Sequence, residues 1–138
     1  MAQIPQWAND YIINACLYLE SKGYKLELPK VAWRKPKVRI WDLDTNTVKN
    51  KVSRKASSGV CYKDHITICA GSHRVDCKMV ILHELAHWVN PEIHHSAKFW
   101  DTAWDLYRHF KLPVRYVNNR EKHYRKGSVI AYRKSKDK

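Results

Sequence analysis

"HELAHWVNPEIHHSAKFW", residues 83–100, holds the pattern His-Glu-x-x-His followed closely by two more histidines. On an α-helix, residues i and i+4 differ by about 40° in azimuth and about 6 Å in rise. His83 and His87 therefore project from one face and can grip one metal ion. Glu84, one step from the first histidine, is placed to bond a water on that ion instead of the ion itself. Zinc would lower that water's pKa toward about 7, and Glu84 would take its proton during attack on a carbonyl, later delivering a proton to the leaving amine. This is metallopeptidase chemistry. With five glutamates and eight histidines in 138 residues, chance alone supplies about 0.016 such matches.

A catalytic zinc takes three protein ligands and keeps one position open. In the longer pattern H-E-x-x-H-x-x-G-x-x-H the glycine position is Asn90 and the third histidine position is Ile93, so that pattern fails here. Six residues separate His87 from His94, and seven separate it from His95. A chain turned by Asn90-Pro91 can deliver either, and spacing alone does not decide. The neighbours favour His95, because Ser96 is a helix N-cap candidate and Phe99 and Trp100 anchor the next helix to a core. His94 is then the alternative ligand, or a group standing behind the ligands or on the substrate side.

Outward from this stretch, "SHRVDCKMVILHELAHWVNP" predicts the metal-binding helix, with Ser72 or Asp76 as N-cap and Pro91 as its stop. Ile81, Leu82, Leu85, Trp88 and Val89 form a broad apolar stripe to pack on a sheet. "AKFWDTAWDLYRHF" predicts a following helix up to Pro113. Upstream, "VCYKDHITICAG" reads as a hairpin of Val60–Tyr62 and His65–Cys69. An N-terminal helix is expected over about 5–22, ending at Gly23. Between them, residues 25–58 suggest one or two short strands and a basic, mobile loop at 44–58. The whole reads as a single α+β domain over 1–138: an N-terminal helix, a short and mostly antiparallel sheet, the metal helix and a following helix. Residues 111–138 read as a basic, mobile C-terminal arm with a strand or two and a frayed end.

The string "HELAH…HSAKFW", preceded by the strand "HITICAG", resembles the SprT-like zincin metallopeptidases, which include Spartan and the small YgjP-type forms. The resemblance covers roughly residues 60–110. It implies His83, His87 and His95 as ligands of one zinc ion, and Glu84 as general base. It also implies a small α+β fold in which an edge strand, here His65, Ile66, Thr67, Ile68 and Cys69, pairs with an extended protein or peptide substrate. Many such proteins carry a C-terminal zinc ribbon, and no cysteine follows Cys77 here.

Charge is distributed unevenly. The chain carries 26 Lys and Arg against 13 Asp and Glu, a net +13. Residues 22–55 and 111–138 each hold +8, whereas residues 1–21 hold −2 and 56–110 hold −1. A near-neutral chemical centre bracketed by basic flanks suits a polyanion held beside a site. DNA, single- or double-stranded, is the expected partner. In the tail, Arg115, Arg120, Lys122, Tyr124, Arg125, Lys126, Tyr132, Arg133 and Lys134 mix cations with rings that can stack on bases. Two other readings share these features: a peptidase that cleaves a regulatory protein, as the ImmA-type His-Glu-x-x-His proteins do, and a basic nucleic-acid-binding module with a structural metal. Glu84 argues against the last, since a structural site has no use for an unligated carboxylate there.

The totals set the remaining bounds. With 44% hydrophobic residues and six tryptophans, one domain can bury a core. No apolar run reaches membrane-spanning length and no signal peptide is readable at the N-terminus. The expectation is a cytoplasmic or nucleoid-associated protein with no membrane partner. Cys16, Cys61, Cys69 and Cys77 contain no C-x-x-C pair and are expected as reduced thiols. A group that stabilises the developing oxyanion is also expected, from among Tyr62, His94, Tyr107, His109 and Tyr116.

Overall fold

A computed structural model describes residues 3–34, 37–42, 47–52, 57–71, 73–91, 95–121 and 126–136, the side chains of 37–42, 47–52, 126, 128 and 136 excepted. The first helix, α1 (Gln6–Ser21), buries Ala8, Ile12, Ala15, Cys16 and Leu19 along one face. It ends as its glycine predicts. Gly23 takes φ +96°, so its N–H reaches Glu20 O at 3.0 Å while Tyr24 N–H reaches Leu19 O at 3.1 Å. That pair of bonds satisfies carbonyls the helix would otherwise leave bare.

Five strands follow: β1 (Lys30–Arg34), β2 (Lys37–Asp42), β3 (Thr47–Val52), β4 (Ser58–Cys61) and β5 (His65–Cys69). They form two sheets. β2 and β3 pair antiparallel with Lys37 opposite Val52 and Asp42 opposite Thr47. The strand β3 replaces part of the loop expected at 44–58. The other sheet has the order β1-β5-β4, with β1 parallel and β4 antiparallel to β5, so it is mixed. Ile66 and Ile68 on β5 are buried while His65, Thr67 and Cys69 are half-exposed. This two-residue alternation puts one sheet face against Ile12 of α1 and against Ile81 and Leu85 of the next helix.

That helix is α2 (Arg74–Trp88), buried continuously from Asp76 to Ala86, Lys78 excepted. Its N-cap is His73, which makes no side-chain capping bond. Asp76, expected as a cap, lies inside the first turn and turns its carboxylate elsewhere; Ser72 lies outside the described residues. α3 (Ala97–His109) begins as expected, with Ser96 Oγ accepting the Phe99 N–H at 3.3 Å. Phe99, Trp100, Ala103, Trp104, Leu106 and Tyr107 form its buried side.

The C-terminal segment differs from expectation. It forms two helices, α4 (Val114–Glu121) and α5 (Lys126–Lys136), where strands and a mobile arm are expected. The reason is tertiary. Tyr132 packs on Trp104 with ring centroids 4.9 Å apart, Ala131 is buried, and Gly127 lies so close to Trp100 that a Cβ would fall 2.7 Å from its ring. Packing on α3 overrides the β-leaning composition of "VRYV" and "SVIAY". All four cysteines are free thiols. No helix among the described residues is long and apolar enough to cross a membrane.

Candidate metal centre

α2 places His83 and His87 one turn apart, and the loop into α3 returns His95 to the same spot. One ring nitrogen from each lies within 4.8 Å of the others. The Nε2 atoms of His83 and His95 are 3.2 Å apart. Two nitrogens bound tetrahedrally to zinc at about 2.05 Å lie about 3.3 Å from each other, so the observed spacing fits two ligands of one ion. The cluster holds three imidazoles and, among the described residues, no carboxylate or thiolate. It is graded in burial, with His83 buried, His87 half-buried and His95 exposed, so the open side is the His95 side.

Aromatic rings hold the ligands in place. Phe99 stacks on His87 at 4.1 Å and meets His83 and His95 edge-on at 5.0 and 5.1 Å. Trp100 stacks on His95 at 5.5 Å. The pair expected to anchor His95 thus touches it directly. His94, the competing residue, lies outside the described residues.

Glu84 is buried, and its carboxyl is pushed up to about 7, mainly by burial and further by the charge of Glu121, while His83 pulls the other way. A carboxyl near neutrality can both accept and release a proton. Strand β4 crosses directly over it. A Cβ on Gly59 would stand 2.9 Å from Glu84 Cγ and 3.1 Å from Oε2, and 2.9 Å from Val80 Cγ1. Only glycine lets the strand approach this closely. Beside His83 and Glu84 a cavity of about 240 Å³ opens, walled by the start of β4, the middle of α2, Arg120 and Glu121.

The expected substrate strand requires correction. β5 (His65, Ile66, Thr67, Ile68, Cys69) is central, bonded to β1 on one side and β4 on the other, so neither edge can take a further strand. The edge beside the histidines is β4. A hairpin fixes which strands are adjacent, but only the pairing of β1 with β5, across more than thirty residues, decides which of the two is the edge.

Glu121 is absent from the expected site, yet it reaches the centre. Its Oε1 lies 3.2 Å from His83 Nδ1 and accepts the Tyr107 hydroxyl at 3.0 Å. Two signals mark it in the sequence: it is one of two acids in the +8 segment 111–138, and it follows Val114 and Val117 at helical spacing. Asp76 is the second missed polar residue. Fully buried, it accepts the Ser57 backbone N–H and the Tyr116 hydroxyl at 3.1 Å, and it forms an ion pair with Arg120, whose Nε lies 3.0 Å away.

Several other expected residues have partners of their own. Tyr107 and Tyr116 spend their hydroxyls on Glu121 and Asp76, Tyr62 stacks on His65 and His109 on Tyr18. Among the tail residues, Arg120 is bonded to Asp76, Lys134 stands 3.8 Å from Asp101, and Tyr132 packs on Trp104 beneath Arg108. Arg115 and Arg133 are exposed. Lys122, Tyr124, Arg125 and the Lys126 side chain lie outside the described residues.

No protein-family model, curated protein or solved structure matches the chain.

Proposed function

We propose that the protein is a zinc-dependent peptidase of the SprT-like zincin type. The observation that carries the reading is the convergence of three imidazoles with Glu84 one residue beyond the first and outside the ligand cluster. His83, His87 and His95 would hold the ion. Bound zinc would supply Lewis acidity, polarising a carbonyl and acidifying a water. Glu84, buried beside the ligands and outside their cluster, would then remove that water's proton and return it to the leaving nitrogen. An extended polypeptide would lie along the outer edge of β4, which passes over Glu84 at Gly59. Three protein ligands with an exposed side favour a catalytic over a structural metal.

The basic flanks support recruitment to DNA or to proteins bound or crosslinked to it, because two +8 segments bracket the near-neutral centre. The test is metal analysis with casein or histone cleavage, with and without single-stranded DNA, for wild type and Glu84→Ala. Retained zinc with lost cleavage supports the mechanism. A wild type that binds no metal, or undiminished cleavage by the variant, refutes it.

A further inference from the structure

We propose that Glu121 is the positioning residue of the metal centre, holding His83 in the tautomer that ligates through Nε2 and making the docking of α4 part of metal binding. The inference rests on the reading of the three histidines as metal ligands, and deepens it.

A neutral imidazole carries one N–H, and a ligating nitrogen must present its lone pair. His83 Nε2 faces His95 Nε2 at 3.2 Å, inside the cluster. The proton must then sit on Nδ1, and Nδ1 faces Glu121 Oε1 at 3.2 Å. An ionised carboxylate only accepts, so it selects Nδ1–H. Tyr107 donates to the same oxygen from α3 at 3.0 Å and fixes the carboxylate in turn. Glu121 is only 2% exposed, so water does little to weaken its pull on the imidazole N–H. Carboxylates placed behind a ligating histidine in this way orient the ring and raise its basicity, and losing one lowers metal affinity by about 10- to 100-fold.

α4 is secured to α2 at two levels. In the first turn of α2, Asp76 accepts the Tyr116 hydroxyl and pairs with the charge of Arg120, and Glu121 bonds His83 two turns further on. A ligand that gains from Glu121 gains only while α4 is docked. By linkage, the metal stabilises that docking to the same extent.

The experiment uses the full chain. Zinc affinity is measured at fixed pH by competition with a chromophoric chelator for wild type, Glu121→Ala, Glu121→Gln and Tyr107→Phe, and the His83 tautomer is read from ¹⁵N–¹H spectra of the metal-free proteins. Wild type should show His83 protonated on Nδ1. Glu121→Ala should bind zinc about 10- to 100-fold more weakly with a mixed tautomer. Glu121→Gln, whose amide oxygen still accepts, should fall between, and Tyr107→Phe should lose least. Wild-type affinity in both Glu121 variants, or an unchanged His83 tautomer in Glu121→Ala, overturns the proposal. Should Glu121→Ala fail to fold, wild-type affinity in Glu121→Gln alone overturns it. A wild type without zinc affinity removes the metal centre itself; unaffected variants beside a zinc-binding wild type remove only the role of Glu121.

Discussion

The metal helix α2 and the C-terminal pair α4 and α5 make opposite kinds of contribution to one site. α2 carries its chemistry in five consecutive residues, His83 to His87, and buries ten of its fifteen. The C-terminal segment carries a net +8, yet what it brings to the centre is an acid, Glu121. Local spacing on a helix announces itself, whereas a partner 38 residues away is set by packing. Net charge describes what a segment shows to solvent and says little about the one residue it turns inward.

The largest effect that separates the two regions should come from Glu84→Ala. General acid–base catalysis contributes roughly 10²- to 10⁴-fold, so cleavage should fall by about 10³ while zinc stoichiometry stays at wild type. Fluorescent casein and metal analysis on the same preparation measure both. Equal loss of zinc and activity would mean that Glu84 acts by holding the ion, and the contrast between proton carrier and ligands would break.

Next in size is Asp76→Ala, which cuts the bond joining the two regions. Removing one member of a buried charged pair costs about 3–5 kcal/mol. Arg120 can still reach water, so about 3 kcal/mol is expected in urea unfolding of the metal-free protein. A loss below about 1 kcal/mol would mean that α4 does not depend on this anchor. Lys134 and Asp101, both substantially exposed and 3.8 Å apart, provide the internal contrast, since surface pairs of this kind contribute about 0–1 kcal/mol.

A third test concerns the charge of Glu84 in metal-free protein. Its carboxyl sits at about 7 when folded, above the value of about 4.3 for a free glutamate. A raised acid leaves stability intact below the unfolded pKa and removes it as pH climbs through the folded one. Wild type should therefore lose about 2–3 kcal/mol between pH 4.5 and pH 8 relative to Glu84→Gln. Thermal melts of both across that range, with chelator present, would show the gap widening with pH; a constant gap contradicts the burial argument.

The same contrast explains how much was legible beforehand. The α+β class, α1, the β4–β5 hairpin, α2 and α3 with its Ser96 cap all follow from periodicity, caps and turns that act within a few residues. The grouping of His95 with His83 and His87 was readable from the Phe99-Trp100 anchor, because those rings both bury α3 and touch the ligands. Missed features depend on distant partners. Asp76 looks like an N-cap until Ser57, Tyr116 and Arg120 come to it. β5 looks like an edge until β1 pairs with it, and Tyr132 looks free for bases until it packs on Trp104.

Gly59 provides the finest test, because it depends on the exposed edge strand rather than on either helix. A methyl group there meets Glu84 Cγ and Val80 Cγ1 at 2.9 Å, closer than carbon atoms sit. Either β4 lifts or Glu84 shifts, and overpacking of this kind costs about 1–3 kcal/mol. Gly59→Ala should therefore lower cleavage by about tenfold, as expected when a catalytic group is misplaced by a fraction of an ångström. Zinc affinity should stay near wild type, since the three atoms nearest the new methyl belong to Glu84 and Val80 and none to a ligand histidine. The kcat/KM ratio read beside a zinc titration separates the outcomes. If cleavage survives intact, β4 has room to move and its register over Glu84 does not matter to the chemistry. If zinc affinity falls as well, α2 itself has been displaced, and the strand is a support for the ligands as much as a rail for substrate.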